Sequence, residues 1–321
     1  MQAIVQDRYG SPDVLRLREI DRPTLSDDRV LVRVKAASVN AYDWHMLRGD
    51  PYVVRASEGL RRPKQPVAGV DFAGVVEAVG KDVTEFRPGD EVFGERGAAF
   101  AEFVTPRPQD LAPKPSNLTF EQAAAVPMAG FTALQALRDK GAVKPGQHVL
   151  VTGAAGGVGT FAVQLAKAMG AEVTAECHTT GTDLVASIGA DHVVDYTRED
   201  VTRGSARFDL ILDISAVHPL RALRRVMTEN GVLVVVGAPK GRWFAPLRRP
   251  LGAVVLSRFG SQRLLPFLAE RRKSDLLILR DRIEAGEVRP VIDSTYALAD
   301  TADAIRRLEA GHVRGKVVIT V

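Results

Sequence analysis

Residues 29–39, RVLVRVKAASV, alternate apolar and polar positions, a period of two that predicts a strand with one buried face. Two further stretches, PVAGVDFAGVVEAVG (66–80) and RPGDEVFG (87–94), are rich in β-formers and punctuated by Pro-Gly and Gly-Asp turn signals. The pattern over residues 1–120 predicts an all-β domain, a distorted barrel. Beyond LAPKPSNLTFEQAAAVP (111–127) the texture changes. QHVLVT (147–152), AEVTAEC (171–177), DHVVDY (191–196), FDLILD (208–213) and GVLVVVG (231–237) are nearly continuous apolar runs, with helical stretches such as TFAVQLAKAMG (160–170) between them. Apolar strands alternating with helices predict a doubly wound parallel sheet, an α/β fold buried on both faces. LGAVVL (251–256) reads as its sixth strand, so the α/β domain is expected over 121–275. The rest, 276–321, reads as a return segment: a helix in DTADAIRRLEAG capped by Asp300 or Thr301, then the strand GKVVITV, expected to close onto the N-terminal domain.

Chemistry first shows at residues 153–159, GAAGGVG, where a strand runs straight into a helix. A glycine turn there lets a pyrophosphate approach the backbone, and the free N–H groups of the helix start favour its charge. Ala154, Ala155, Gly156, Gly157, Val158 and Gly159 are therefore candidate dinucleotide contacts. Ala154 stands where the G-x-G-x-x-G pattern has its first glycine, and a small residue still permits the turn. About 20 residues past the glycines, an acid would accept from the ribose 2′-hydroxyl of NAD and repel a 2′-phosphate. His178 occupies that place, followed by Thr179 and Thr180, with Glu176 two residues before it. The missing acid favours NADPH. The usual Arg or Lys is missing as well, and Tyr196 is available to pack on the adenine or donate to the phosphate.

Composition adds limits. Apolar residues make up 45% of the chain and charged residues 26%, as in ordinary globular proteins. No run approaches the roughly 18 apolar residues of a membrane span, and the first residues lack a signal-peptide pattern. A single cysteine, Cys177, excludes an internal disulfide and suits a reducing, cytoplasmic location. The net charge of +4 has local excesses at 242–249 (RWFAPLRR) and 271–273 (RRK), which read as solvated surface or as attraction for an anionic partner.

Several stretches together resemble one family: ASVNAYDWHMLRG (37–49), AGVDFAGVVEAVG (68–80), RPGDEVFG (87–94), AAAVPMAGFTALQAL (123–137), the glycine turn, GADHVVDYTRED (189–200) and GHVRGKVVITV (311–321). In this order they resemble the zinc-independent quinone oxidoreductase branch of the medium-chain dehydrogenase/reductase superfamily. The resemblance implies a GroES-like outer domain, a Rossmann inner domain and a homodimer. In the zinc-dependent members, the first metal ligand is a Cys where this chain has Asn40, and the second is the His of a Gly-His-Glu motif where it reads Gly69-Val70-Asp71. Valine cannot ligate, so no metal site is expected.

Without a Lewis acid an alkoxide is poorly stabilised, whereas quinones and conjugated enones delocalise added electrons themselves. A small-molecule quinone or enone is accordingly the expected substrate, with a hydrogen-bond donor at the carbonyl oxygen. Asn40, Tyr42 and Tyr52 are the candidate catalytic residues, and Asp43 reads as a turn-fixing residue. Thr132 is a candidate ribose or phosphate contact or a helix cap, Gly237 and Ala238 are candidate backbone contacts at the end of the fifth strand, and Lys316 is a candidate phosphate contact or a solvated surface lysine. The alternative is a low-turnover NADPH-binding module with a regulatory or RNA-binding role. It has the Arg clusters in its favour and the lack of interleaved aromatics against it.

Overall fold

Strand Val30–Val39 in the computed structural model buries its alternate apolar residues, with Val30, Val32 and Val34 inside and Arg33 and Lys35 exposed. The structure describes residues 1–52, 54–237, 245–258 and 260–321. The chain divides into unit 1, residues 1–131, 271–286 and 290–321, and unit 2, residues 132–270 with 287–289. The first boundary falls past residue 120 because helix Phe120–Ala124 packs on strands Val30–Val39 and Asp71–Val79. Helix Lys273–Glu284 also belongs to unit 1, where Asn117 Nδ2 donates to the carbonyl of Ile283 (2.8 Å).

In unit 1 the main sheet runs Ile292–Ala297, Lys316–Thr320, Val30–Val39, Asp71–Val79, Glu91–Glu95, Leu111–Pro113, with Phe103–Val104 also on Val30–Val39. Its core packs Val30, Val32, Phe72, Val76, Val92 and Leu111 on one side, and Ile4, Leu47, Phe100, Val317 and Ile319 in a second cluster. The expected return of GKVVITV occurs: Lys316–Thr320 lies antiparallel to Val30–Val39, with Val317 opposite Val39. On the other flank Ser38 stands opposite Asp71. These two registers bring Asn40, Asp71 and Lys316 to one place. The helix before that strand, Thr301–Glu309, has Asp300 at its N-cap position, but neither expected side chain caps it; Thr301 Oγ1 donates backwards to the Leu298 carbonyl instead (2.7 Å).

Unit 2 holds a parallel sheet in the order His192–Asp195, Glu172–Cys177, His148–Thr152, Phe208–Asp213, Met227–Val235, Arg263–Pro266. Val149, Leu150 and Val151 are all fully buried, as a sheet covered on both faces requires. One expectation fails. LGAVVL forms the end of helix Ala245–Leu256, and the sixth strand is Arg263–Pro266. Of this run only Ala253 is buried, while Leu251, Val254 and Val255 are exposed, and periodicity over so few apolar residues does not separate a helix from a strand. Among the described residues, no helix is long and apolar enough to cross a membrane.

Candidate active site

Strand His148–Thr152 ends at Gly153, whose φ of +68° turns the chain, and helix Gly157–Ala168 begins after Gly156. The turn is pinned to the neighbouring strand by Ala154 N–H on the Glu176 carbonyl (2.9 Å). A Cβ on Gly159 would sit 2.3 Å from the Gly153 oxygen, so only glycine lets the helix come this close. At Gly156 the nearest atom to such a Cβ is 3.4 Å away, leaving open space over the helix start. Ala154 is buried beneath the turn, whereas Ala155, Gly157 and Val158 remain partly open on it. The N–H groups of a helix's first turn have no intrahelical acceptor. The residues therefore fit a pyrophosphate.

At the end of strand Glu172–Cys177, His178 starts a short turn and its ring meets Tyr196 edge-on, 5.8 Å between centroids. Thr179 and Thr180 are exposed beside it, and Thr179 Oγ1 donates to Asp195 (2.6 Å). His178, Thr179, Thr180 and Tyr196 thus form one group. A cation stands beside this group, on the turn after the next strand. Arg198 Nε lies 3.8 Å from the same Asp195 oxygen that Thr179 holds, and its side chain is 80% exposed. The sequence signal was there, three residues past Asp195, but the pairing of the two strand ends was needed to see it. Glu176 does not face the group. It is fully buried and bonded to His218 Nε2 (2.6 Å), which raises the His218 pKa.

Gly237 follows strand Met227–Val235, and its N–H donates to the Asp213 carbonyl (2.9 Å). Ala238 lies outside the described residues, as do 242–244 of the expected basic cluster; Arg249 of that cluster is bonded to buried Asp213. Thr132 is not a helix cap, because it lies inside helix Pro127–Gln135.

In unit 1, Asn40 precedes helix Ala41–Arg48, and its backbone N–H donates to Asp43 Oδ2 (2.7 Å), the turn-fixing role expected of Asp43. The Asn40 amide is engaged at both ends. Nδ2 donates to Asp71 Oδ2 (2.9 Å), and Oδ1 accepts from Lys316 Nζ. Lys316 is only 3% exposed and lies 3.6 Å from Asp71 Oδ2, so its ammonium neutralises a buried carboxylate rather than standing free for a phosphate. Burial pushes the Asp71 pKa up, and Lys316 and the hydrogen bonds to Asn40, Met128 and Ser38 oppose the shift.

Beside this cluster lies a cavity of about 350 Å³ lined by Tyr42, Asp43, Gln6, Glu58, Arg96 and Arg271, among others. Burial raises the Tyr42 hydroxyl's pKa, helped by the Glu58 charge, and the side chain remains 38% exposed. Asp43 is pushed up to about 7, chiefly by burial. Tyr52 lies on the Arg55 guanidinium, 4.4 Å from its ring centroid, and is not among the lining residues. Of the three side chains expected at the chemistry, the structure puts Tyr42 on the cavity, ties Asn40 into the ion cluster and stacks Tyr52 on Arg55.

Two families match the chain: an alcohol dehydrogenase GroES-like domain over residues 26–116 and a zinc-binding dehydrogenase over 188–319. The mitochondrial NAD(P)H oxidoreductase RTN4IP1 of Bos taurus is 33% identical over 361 residues, covering 100% of this chain and 89% of its own. A 2-methylene-furan-3-one reductase of Solanum lycopersicum is 33% identical over 99% of this chain and 79% of its own length. The solved quinone oxidoreductase of Coxiella burnetii superposes with a TM-score of 0.87 at 30% identity, over 100% of this chain and 99% of its own.

Proposed function

Because this chain belongs to the quinone oxidoreductase branch of the medium-chain dehydrogenase/reductase superfamily, we propose that it is an NADPH-dependent, zinc-independent reductase of quinones or α,β-unsaturated carbonyls. It is an oxidoreductase that uses NAD(P)H. The observation that carries the nucleotide part of that reading is the glycine cradle, closed at Gly159 and open at Gly156. A reduced nicotinamide nucleotide bound there supplies the hydride.

The chain's own residues do the rest. Thr179, Tyr196 and Arg198 surround the place of a ribose 2′-phosphate, and a guanidinium favours the doubly charged group. The adjacent Asp195 charge is already taken up by Thr179, Thr197 and the Arg198 side chain. In unit 1 the Tyr42 hydroxyl, kept protonated by burial, donates to the acceptor oxygen as negative charge develops on it. Asp43 lines the same cavity with a pKa near 7 and holds a proton for that oxygen. The side chains at the vacated metal positions are an amide, Asn40, and an aliphatic group that offers no donor, Val70. The one thiol, Cys177, is buried in unit 2 and pushed up to about 11. That donor set is a poor match for zinc. A homodimer in the cytosol completes the reading.

The test follows nicotinamide absorbance with quinones, enones and aldehydes in parallel, with and without a chelator. Oxidation of NADPH by the first two, unchanged by the chelator, is expected. Silence with every quinone and enone, or activity that requires added zinc, overturns the proposal.

A further inference from the structure

Gln6 is 5% exposed and lines the unit 1 cavity, yet its Nε2 donates to nothing among the described residues. A buried amide donor without an acceptor is destabilising unless a ligand or water completes it. Arg96 lines the same cavity and makes no ion pair or side-chain hydrogen bond among the described residues. Its pKa is lowered by burial and by the neighbouring guanidiniums of Arg29 and Arg271. Arg271 Nε lies 3.4 Å from Glu95 Oε1. Burial pushes the Glu95 carboxyl up to about 8, so it carries little charge at neutral pH. Asp43 and Glu58 also line the cavity, but neither pairs with Arg96. Asp110 acts on Arg96 only through space, so among the described residues the Arg96 guanidinium has no bonded anion.

The two unpartnered donors stand apart. Gln6 N–H is bonded to the Pro66 carbonyl (2.8 Å) and Arg96 N–H to the Val70 carbonyl (2.7 Å), so the side chains rise from opposite ends of segment 66–70. Those ends are at most about 14 Å apart. Tyr9, Met46 and Val67 provide apolar wall. A ligand that satisfies all of this has an apolar body with an anion at one end and a neutral acceptor at the other.

We propose that the cavity takes an acceptor with a carboxylate at one end, held by Arg96, and a conjugated carbonyl at the other, whose oxygen accepts from Gln6 Nε2 as well as from the Tyr42 hydroxyl. The proposal deepens the reductase reading and rests on it for the identity of the carbonyl end.

The test separates binding from turnover. In equilibrium titrations without cofactor, 8-oxononanoate is expected to bind at least tenfold more tightly than its methyl ester. Arg96→Met removes that advantage, Arg96→Lys keeps part of it, and Gln6→Leu weakens acid and ester alike. With NADPH, 8-oxonon-6-enoate should show a KM at least tenfold below that of its methyl ester, again only with Arg96 present. Equal binding of acid and ester, or an advantage that survives Arg96→Met, overturns the proposal. If the acid binds through Arg96 but neither enone is reduced, the reductase reading fails and the carboxylate site stands. If both enones are reduced with equal KM, the carboxylate site fails and the reductase reading stands.

Discussion

Lys316 Nζ donates to Asn40 Oδ1 across 276 residues of chain, and the same Asn40 amide donates to Asp71 (2.9 Å). The amide bridges a buried cation and a buried anion. Lys316→Met would leave the Asp71 carboxylate without its counter-charge, an effect worth about 3–5 kcal/mol. Asn40→Ala removes only the bridge and should cost about 1–3 kcal/mol. Urea unfolding of both variants checks the order. If Asn40→Ala is as stable as the parent, the bridge is not structural.

Tyr42→Phe keeps the ring and removes the one hydroxyl expected to donate to the acceptor oxygen. The side chain is 38% exposed, so stability should barely change, while kcat falls about a hundredfold. Stopped-flow hydride transfer at saturating cofactor measures it. An unchanged rate would take Tyr42 out of the chemistry.

The glycine cradle makes a paired prediction. A Cβ at position 159 meets the Gly153 and Ala154 oxygens at 2.3 and 2.6 Å, so Gly159→Ala must open the turn and should lower both thermal stability and nucleotide affinity. At 156 the nearest atom is 3.4 Å away. Gly156→Ala should therefore fold normally and lose about tenfold or more in nucleotide affinity, because the methyl occupies phosphate space. Calorimetric melting with and without NADPH distinguishes the two.

Arg198 and Thr179 meet on one Asp195 oxygen. Arg198→Ala should weaken NADPH binding by about tenfold, the scale of a charge-assisted hydrogen bond, and leave NADH binding nearly unchanged. Fluorescence titration with both nucleotides reads the ratio. A parallel loss for both would place the 2′-phosphate elsewhere.

Glu95 gives the pH dependence. Its pKa rises from 4.5 in the unfolded chain to about 8 in the fold, because burial and the Asp71 charge both penalise ionisation. The folded state then binds the extra proton, so this contribution to stability is fully present below pH 4.5 and is lost as pH rises towards 8. Glu95→Gln should flatten that decline and stabilise unit 1 at alkaline pH by at least about 1 kcal/mol. Melting curves of parent and variant from acid to alkaline pH would show parallel decline if the carboxyl ionises freely.

What the chain determined by itself was local. Alternation in 29–39, the apolar runs of the parallel sheet and the glycines of 153–159 each act within a few residues, so their periodicity and turn chemistry could be read directly. LGAVVL was misread for the same reason, since six apolar residues carry no period long enough to separate a helix from a strand. The tertiary structure decided which distant side chains share a charge or a cavity. Lys316 reads as a free cation until strand register places it against Asn40 and Asp71. Arg198 joins Thr179 only through the pairing of adjacent strand ends, and Gln6 and Arg96 meet one cavity only because the backbone of each bonds to segment 66–70. Electrostatics acts through space, and the sequence records distance only along the chain.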